Sequence, residues 1–377
     1  MLHVTESLRV QYGGLAVTCA RLASHLAQRG VEVSVATIDN RAAGPTVPLD
    51  PGVATVRCTP TGPRRLGFSR ELDRALAVAD PGLLHVHGLW RGYLAQAARY
   101  SRSRGRPLIV SAHGMLHRSA RRQRSLIKAA VRRLGQDALL GRAACLHATA
   151  EEEAEEIRSL RLDLPVAVIP WGVDPPAPAQ RRAPAGRVVL FLGRFHATKG
   201  VFTLLRAWAR AARGAGQARL VLAGYDGDGY RARCEALAAS LGVAPSVSFR
   251  DAVAGTEREQ LFADADVLVL PSPSENFGLV VPEALVRGIP VIATHGSPWR
   301  SLTEQRCGWW VAAGDGPLAA ALDEALAAAG SDLRAMGERG RRFAGTRFTW
   351  PQAAASMCDL YAWALGLAPI PGCLRPT

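Results

Sequence analysis

Two glutamates stand in the segment PSPSENFGLVVPEALVRGIP (271–290) at a spacing that would let them bind one polar ligand. Glu275 lies in a Pro/Ser loop that follows an apolar strand-like run, and Glu283 lies in a helical pattern from about Gly278 to Arg287. Residues eight apart on a helix return to nearly the same face, so we expect both carboxylates to face one pocket. The alternative for either glutamate alone is a solvated side chain, or an acid near a helix N-terminus that complements the helix dipole.

A second group of charges surrounds a glycine-bounded loop. Arg194 and Lys199 lie between Gly193 and Gly200, after an apolar strand pattern at 187–192. Two cations in a loop that leads into a helix suit a diphosphate. Lys199 is informative because the chain has only two lysines among its 46 basic residues. For Arg194, a structural salt bridge is the alternative.

These motifs resemble those of the retaining glycosyltransferases of family 4. The resemblance rests on Glu-x7-Glu around an Asn-Phe-Gly-Leu insert, on the following Glu-Ala-Leu, and on Gly-Arg…Lys-Gly in the loop at 193–200. It covers nearly the whole chain and is strongest at 187–296. It implies an α/β fold of the GT-B type, in which two Rossmann-like domains with parallel sheets face each other and a C-terminal helix crosses back to the first domain.

The resemblance also implies a role for each motif residue. Arg194 and Lys199 would grip the pyrophosphate and stabilise the nucleotide leaving group. Glu275 would approach the donor sugar, and Glu283 would hydrogen-bond the ribose. Sugar hydroxyls and phosphate oxygens would meet the backbone amides that follow Glu275, which are those of Asn276, Phe277, Gly278 and Leu279.

Further candidates follow strand-like runs in the N-terminal half, where ligands of parallel sheets bind. Gly13 and Gly14 open a helix, and the resemblance implies that such a pair meets the donor phosphate and the acceptor; an ordinary tight loop is the alternative. His113 begins a His-Gly-Met-Leu tetrad, and the resemblance implies a place beside the donor sugar. For His87 we expect a packed or water-bonded histidine. Trp171 stands where the family more usually has Asn, so no ligand role is assigned to it.

Composition and resemblance together predict the domain boundaries. We expect an N-terminal acceptor-binding domain at 1–174 and a Pro-rich linker at 175–186. A C-terminal domain at 187–349 would bind the nucleotide sugar, and a helix within 350–377 would pack back on the N-terminal domain. Strand patterns alternate with helical ones in both halves, which is typical of parallel α/β sheets.

The overall composition indicates the type of protein, its cellular location and the cofactors to expect. The 377 residues are 48% hydrophobic and carry a net charge of +14, which indicates a basic globular protein. We find neither a long apolar run nor a secretory start, so we expect a cytoplasmic location. Seven scattered cysteines indicate reduced thiols. We expect no cofactor and no metal; the pairs Asp226/Asp228 and Asp264/Asp266 are rejected as metal sites, because the GT-B resemblance implies metal-independent transfer.

The segment HRSARRQRSLIKAAVRRLGQ (117–136) has a basic amphipathic pattern. On a helix, its basic residues would cover one half and its apolar residues the other. Two interpretations remain open: peripheral contact with an anionic membrane surface, or an apolar face in the domain core with solvated arginines. Nucleic acid is not an expected partner, because no interleaved aromatic residues or binding motif accompany the charge.

The sequence therefore predicts a retaining transferase that moves a hexose-type sugar from a nucleotide-diphosphate sugar, UDP or GDP, to a hydroxyl acceptor. A lipid-linked or exopolysaccharide acceptor is favoured by the basic segment. The alternatives are glycosylation of a small natural product, a GT-B sugar-nucleotide epimerase, and a non-catalytic nucleotide-sugar-binding subunit. A dehydrogenase is disfavoured, because no Gly-x-Gly-x-x-Gly follows the first strand.

Overall fold

The fold is an alternation of strands and helices, as predicted. The computed structural model describes residues 1–38, 44–116, 137–182, 186–211 and 216–375. In chain order the strands are β1 (Leu2–Thr5), β2 (Ser34–Thr37), β3 (Ala54–Arg57), β4 (Leu84–His87), β5 (Leu108–Ser111), β6 (Cys145–Ala148), β7 (Val166–Val168), β8 (Val188–Leu192), β9 (Arg219–Ala223), β10 (Val247–Arg250), β11 (Val267–Leu270), β12 (Val291–Thr294), β13 (Gly308–Val311) and β14 (Leu374–Arg375).

The helices connect these strands and cover the sheets. In chain order they are α1 (Gly14–Gln28), α2 (Arg70–Ala79), α3 (Gly92–Arg104), α4 (Asp137–Leu140), α5 (Glu151–Arg158), α6 (Val201–Ala211), α7 (Tyr230–Ser240), α8 (Gly255–Asp264), α9 (Val280–Val286), α10 (Ser301–Glu304), α11 (Asp315–Ala327), α12 (Gly330–Arg347) and α13 (Trp350–Ala364). None of the helices in the described part of the chain has the length and apolarity that a bilayer crossing requires.

The chain divides into two compact units. The first contains Met1–Gly172 together with Trp350–Thr377, and the second contains Val173–Thr349. Helix α13 therefore belongs to the first unit, where it packs against α1. The segment predicted as a linker, 175–186, lies in the second unit and has no helix or strand in its described residues.

The sheet of the first unit has the described strands in the order β14–β7–β6–β5–β4–β1–β2–β3. Every neighbouring pair is parallel except β14 with β7, which is antiparallel. The central strands β1, β4, β5 and β6 are fully buried, as is typical of a parallel sheet that is covered on both faces. The strand order changes direction between β1 and β4, and ligands of open parallel sheets bind beyond the strand ends at such a point.

The sheet of the second unit has the order β10–β9–β8–β11–β12–β13 and is parallel throughout its described strands. Here the order changes direction between β8 and β11. A core on one face of this sheet is built from alternate apolar residues of the strands and from apolar residues of α6, α7 and α11. The loops that follow β8 and β11 therefore lie side by side at the carboxyl edge, which is the favoured place for a ligand.

Candidate active site

The loops after β8 and β11 approach each other closely because of one glycine. Gly200 follows a short 3-10 helix, Ala197–Lys199, and has the left-handed backbone angle φ of 70°. A Cβ atom at this position would overlap the carbonyl oxygen of Pro271, the first residue after β11. Glycine thus satisfies both the turn and the close contact, and the contact brings Lys199 to the loop that carries Glu275.

Lys199 and Glu275 form an ion pair at this edge of the second sheet. The distance between Lys199 Nζ and Glu275 Oε2 is 2.6 Å, and the two side chains are 22% and 13% exposed. Ser272 donates its hydroxyl to the same carboxylate oxygen at 3.1 Å. Two residues that the sequence singled out from motifs 76 residues apart are therefore in direct contact. Arg194 lies in the loop of Lys199, and its side chain is exposed.

Glu283 has a different cation partner, which the sequence did not predict. Arg258, on α8, donates to Glu283 Oε2 at 2.6 Å, and both side chains are less than a third exposed. Helix α9 begins only at Val280, so Glu275 lies in the loop before it. The argument that helical periodicity places both glutamates on one face is therefore wrong, because periodicity positions only residues within the helix.

The loop between the two glutamates is held by the loop that follows β12. Trp299 donates its indole N–H to the carbonyl of Phe277, and the two rings pack with centroids 5.5 Å apart. The amide of Glu275 donates to the carbonyl of Gly296 at 2.7 Å. Gly278 has a φ of 72°. Asn276 and Leu279, the remaining predicted binding positions, are half-buried.

One carboxylate of each acidic pair that was rejected as a metal site has structural partners. Asp226 accepts hydrogen bonds from the amides of Tyr230 and Arg231, at the start of α7. Asp266 is 4% exposed and pairs with Arg181 and Arg187, at 2.7 and 3.3 Å. Both carboxylates therefore organise the fold around them, the first as a helix cap and the second as a buried ion pair.

In the first unit, the predicted site residues lie in the segments that follow two strands. Gly13 and Gly14 come after β1, and His113 comes after β5. Gly13 has a φ of 66° and precedes α1, which begins at Gly14. His113 has a φ of 50°, which lies in the left-handed backbone region that residues other than glycine seldom adopt. Such strain persists only where the surroundings enforce it, and it is concentrated at functional sites.

The ring of His113 is fixed by two neighbours. Its Nε2 lies 3.1 Å from Nδ1 of His87, and it stacks on Trp171 with centroids 5.6 Å apart and an interplanar angle of 15°. Burial lowers the pKa of His113 to about 3, so the ring is neutral at pH 7. Trp171, which stands in place of the more usual Asn, is 2% exposed and packs against both His113 and His147.

The first unit contains a basic cavity that the sequence analysis did not predict. It has a volume of about 220 Å³ and lies at the carboxyl edge, where the chain leaves β1, β2 and β4. Its polar lining residues are Glu6, Tyr12, Arg64, Arg65, Arg91 and Tyr93. Arg91 pairs with Glu6 at 2.6 Å and donates to the carbonyl of Arg65 at 2.7 Å. The lining of the cavity thus includes three arginines and one glutamate. The sequence signal was the Arg-rich loop around 59–69, which has no recognisable motif.

The predicted basic helix at 117–136 lies outside the described residues. Its two interpretations therefore stay as predictions.

Family models match both parts of the chain. The model described as Glycosyltransferase Family 4 matches residues 12–176, and the model described as Glycosyl transferases group 1 matches residues 186–328. The chain is 30% identical over 393 residues to a D-inositol 3-phosphate glycosyltransferase of Xylanimonas cellulosilytica, covering 93% of this chain and 92% of the relative. It is 32% identical to D-inositol 3-phosphate glycosyltransferase 2 of Catenulispora acidiphila, covering 93% and 90%.

Solved structures share the fold over almost the whole chain. Sucrose-phosphate synthase from Thermosynechococcus elongatus superposes with a TM-score of 0.82 at 23% identity, covering 97% of this chain and 99% of the other. The Anabaena protein HepE, solved in complex with UDP and glucose, superposes with a TM-score of 0.76 at 19% identity, covering 96% and 99%.

Proposed function

Because the chain belongs to glycosyltransferase family 4, we propose that it transfers a hexose-type sugar, with retention of anomeric configuration, from a nucleoside diphosphate sugar to a hydroxyl acceptor. The protein is a glycosyltransferase of the GT-B type. The donor class, the stereochemical course and the acceptor are the parts that we propose.

The ion pair of Lys199 with Glu275 carries the donor proposal. It lies beyond the ends of β8 and β11, where the strand order of the second sheet changes direction. A diphosphate that enters this edge would take Lys199 as a counterion and leave the Glu275 carboxylate to accept a sugar hydroxyl. Exposed Arg194 adds a second cation in the same loop. Glu283, which Arg258 holds in place, binds the ribose.

Charge stabilisation is the central catalytic task in this proposal. As the glycosidic bond breaks, negative charge grows on the departing diphosphate, and Arg194 and Lys199 stabilise it. No residue is assigned as a covalent nucleophile. The departing phosphate accepts the proton of the acceptor hydroxyl, which attacks the same face of the sugar. We assign the counter-charge to the two side chains, so transfer is expected to continue in the presence of EDTA.

For the acceptor, we propose a hydroxyl compound that carries an anionic group. The cavity with Arg64, Arg65 and Arg91 in the first unit supports this class, because guanidinium groups bind phosphate and carboxylate strongly. The relatives are named for a phosphorylated acceptor, D-inositol 3-phosphate. A lipid-linked phosphate in exopolysaccharide or oligosaccharide assembly has the same chemistry, and a peripheral contact of 117–136 with an anionic membrane would accompany it.

The test is thermal stabilisation of the purified protein by UDP-, GDP-, ADP- and TDP-sugars, with each hit then assayed for transfer. A ligand at about 100 times its Kd adds roughly 2.7 kcal/mol of stability. We expect one nucleotide class to raise the Tm of the wild type and to lose this effect in Glu283→Ala. The matched control is Glu304→Ala, since Glu304 is a glutamate on another helix of the second unit and forms an exposed ion pair with Arg300.

Stabilisation by no nucleotide sugar would contradict the proposed donor class. Binding that survives in Glu283→Ala would contradict the ribose contact alone. Conversion of the donor without any acceptor would indicate an epimerase instead of a transferase.

A further inference from the structure

Four fully buried histidines form a row on one face of the first sheet. His3 on β1 is paired in register with His85 on β4, and His85 and His87 are alternate residues of that strand, so their side chains share a face. Ser111 on β5 continues the row opposite His87, and His147 on β6 is opposite Ser111. Each of these five side chains is at most 1% exposed. They separate into two hydrogen-bonded chains.

The first chain has only one arrangement of protons. His147 Nε2 lies 2.8 Å from the carbonyl of Ile169, which can only accept, so this nitrogen donates and His147 Nδ1 accepts from Ser111 at 2.7 Å. The Ser111 oxygen then accepts from His85 Nε2, and His85 Nδ1 accepts from the Tyr361 hydroxyl, both at 2.7 Å. All donors and acceptors are matched with every ring neutral.

The second chain runs from His3 through His87 to His113. His3 Nδ1 lies 2.8 Å from His87 Nε2, and His87 Nδ1 lies 3.1 Å from His113 Nε2. Neutral imidazole has one N–H and one acceptor nitrogen, so the protons of this chain can point either toward His113 or toward His3. One choice of tautomer at His3 determines the other two.

The far end of this chain decides between the two arrangements. His3 Nε2 is buried and has no hydrogen-bond partner among the described residues. If the protons pointed toward His3, this nitrogen would be a buried N–H without an acceptor, which folded proteins avoid more strictly than an unused acceptor. The favoured arrangement therefore has His3 donating to His87, His87 donating to His113 Nε2, and the proton of His113 on Nδ1.

We propose that His87 is a positioning residue that holds His113 in the Nδ1–H tautomer, so that His113 offers a hydrogen-bond donor to the bound sugar. The contact with the sugar rests on the proposed function, whereas the tautomer does not. The stacking of His113 on Trp171 fixes the plane of the ring, and the hydrogen bond from His87 fixes its rotation. Burial lowers the pKa of His3 to about 3 and that of His87 well below its usual value, which keeps the chain neutral at pH 7.

A metal ion is the rival occupant of this row. Ring nitrogens of His3, His85 and His87 lie within 4.8 Å of one another. Both nitrogens of His85 are already engaged, by Tyr361 and Ser111, and the three rings bring no negative charge into the buried site. A divalent ion there would have to break the matched chain, so the hydrogen-bonded arrangement is favoured.

The first experiment reads the tautomer directly, without substrate. In a sample labelled with 15N at the rings of its nine histidines, long-range 15N–1H correlation distinguishes a protonated ring nitrogen from an unprotonated one. We expect His113, identified by the signals lost in His113→Asn, to be protonated at Nδ1 and not at Nε2. Protonation at Nε2 would overturn the proposal. A shift of the His3 and His85 signals on addition of Zn2+ would also overturn it in favour of the metal site.

The second experiment uses a matched pair of substitutions. The amide nitrogen of Asn can occupy the place of His87 Nδ1 and donate to His113, whereas that of Gln reaches only the place of Nε2, toward His3. We expect kcat to fall about tenfold or more in His87→Gln, which is the loss of one oriented hydrogen bond of about 1.4 kcal/mol, and less than threefold in His87→Asn.

Equal losses in the two variants would show that His87 only fills space, and would overturn the positioning role. If His87→Gln does not fold, the ring spectrum of the wild type still decides the tautomer. If His113 shows an Nδ1–H signal but the protein has no transferase activity, the inferred tautomer is correct and the proposed function is wrong.

Discussion

Lys199 shows how one residue type can be informative against its background. The chain uses arginine for nearly every cation, yet it has lysine where Glu275 accepts at 2.6 Å. The ammonium group is a compact point charge with three donors, whereas guanidinium is a wide planar fork. A compact charge can meet both a carboxylate and a phosphate oxygen at the crowded junction of two loops.

We predict that Lys199→Ala lowers kcat/KM by about 10²–10³-fold, because a donor aimed at developing negative charge is lost. Lys199→Arg keeps the charge but not the shape, so we expect an intermediate loss of about tenfold. Steady-state kinetics with the donor identified by thermal shift measures both values, and circular dichroism checks the fold. Near-normal turnover of Lys199→Ala would contradict the phosphate role.

At the scale of elements, the site in the second unit depends on loops that touch. The contact between Gly200 and the carbonyl of Pro271 joins the loop after β8 to the loop after β11. Two properties of Gly200 are required there: a positive φ and the absence of a Cβ. Some other glycines have a positive φ but enough open space for a Cβ atom. Substitution at those positions therefore measures the cost of backbone strain without the cost of overlap.

We predict that Gly200→Ala is more destabilising than Gly242→Ala. Both glycines have positive φ, 70° and 73°, but a Cβ at 242 would meet no atom within 4 Å. Backbone strain alone costs about 1–2 kcal/mol, and overlap adds about 1–3 kcal/mol at 200 only. Urea unfolding measures the difference. Gly200→Ala should also raise KM for the donor, since it moves Lys199.

Equal destabilisation by the two substitutions would show that the loops can separate without cost. The close contact would then have no part in positioning Lys199.

At the scale of the whole molecule, the buried histidines make the first unit sensitive to acid. Burial lowers the pKa of His3 and His113 to about 3 and that of His147 to about 4. It also lowers the pKa of His85 and His87 well below the usual value. In the unfolded chain these groups titrate near pH 6.5. Below that pH the unfolded state binds more protons than the native state, so stability falls as the pH falls.

We predict that the free energy of unfolding is at its plateau above pH 6.5 and declines as the pH drops from 6.5 toward 4. Each of these histidines contributes up to about 1.4 kcal/mol per pH unit. Hydrogen bonds lower the pKa of Asp50 and Asp80 from the ordinary value of 3.8, so these carboxylates affect stability only at the acid end of this range. Urea unfolding at pH 7.5, 6.5, 5.5 and 5.0, followed by tryptophan fluorescence, measures the slope.

His3→Leu removes one of the titrating groups. It should therefore reduce the slope of the unfolding free energy against pH by up to about 1.4 kcal/mol per pH unit, the contribution of one proton. A free energy of unfolding that stays constant between pH 6.5 and 5 would contradict neutral burial of the histidine row.

The sequence by itself determined the fold class and the family, because both depend on local patterns. Apolar strands alternate with amphipathic helices, and the motifs around Glu275 and Lys199 are contiguous in the chain. The tertiary structure decided which residues meet. The pairing of Lys199 with Glu275, of Arg258 with Glu283, and of His87 with His113 joins residues 76, 25 and 26 positions apart.

Those contacts follow from strand order, which the sequence pattern does not contain. His3 and His85 become neighbours only because β1 lies beside β4, and Lys199 reaches Glu275 only because β8 lies beside β11. In the sequence, each histidine stands alone within a strand pattern. It therefore cannot be distinguished from an isolated polar residue in a core. Hydrogen bonds between buried rings arise only when parallel strands are in register, which is why only the tertiary structure shows the chain that ends at His113.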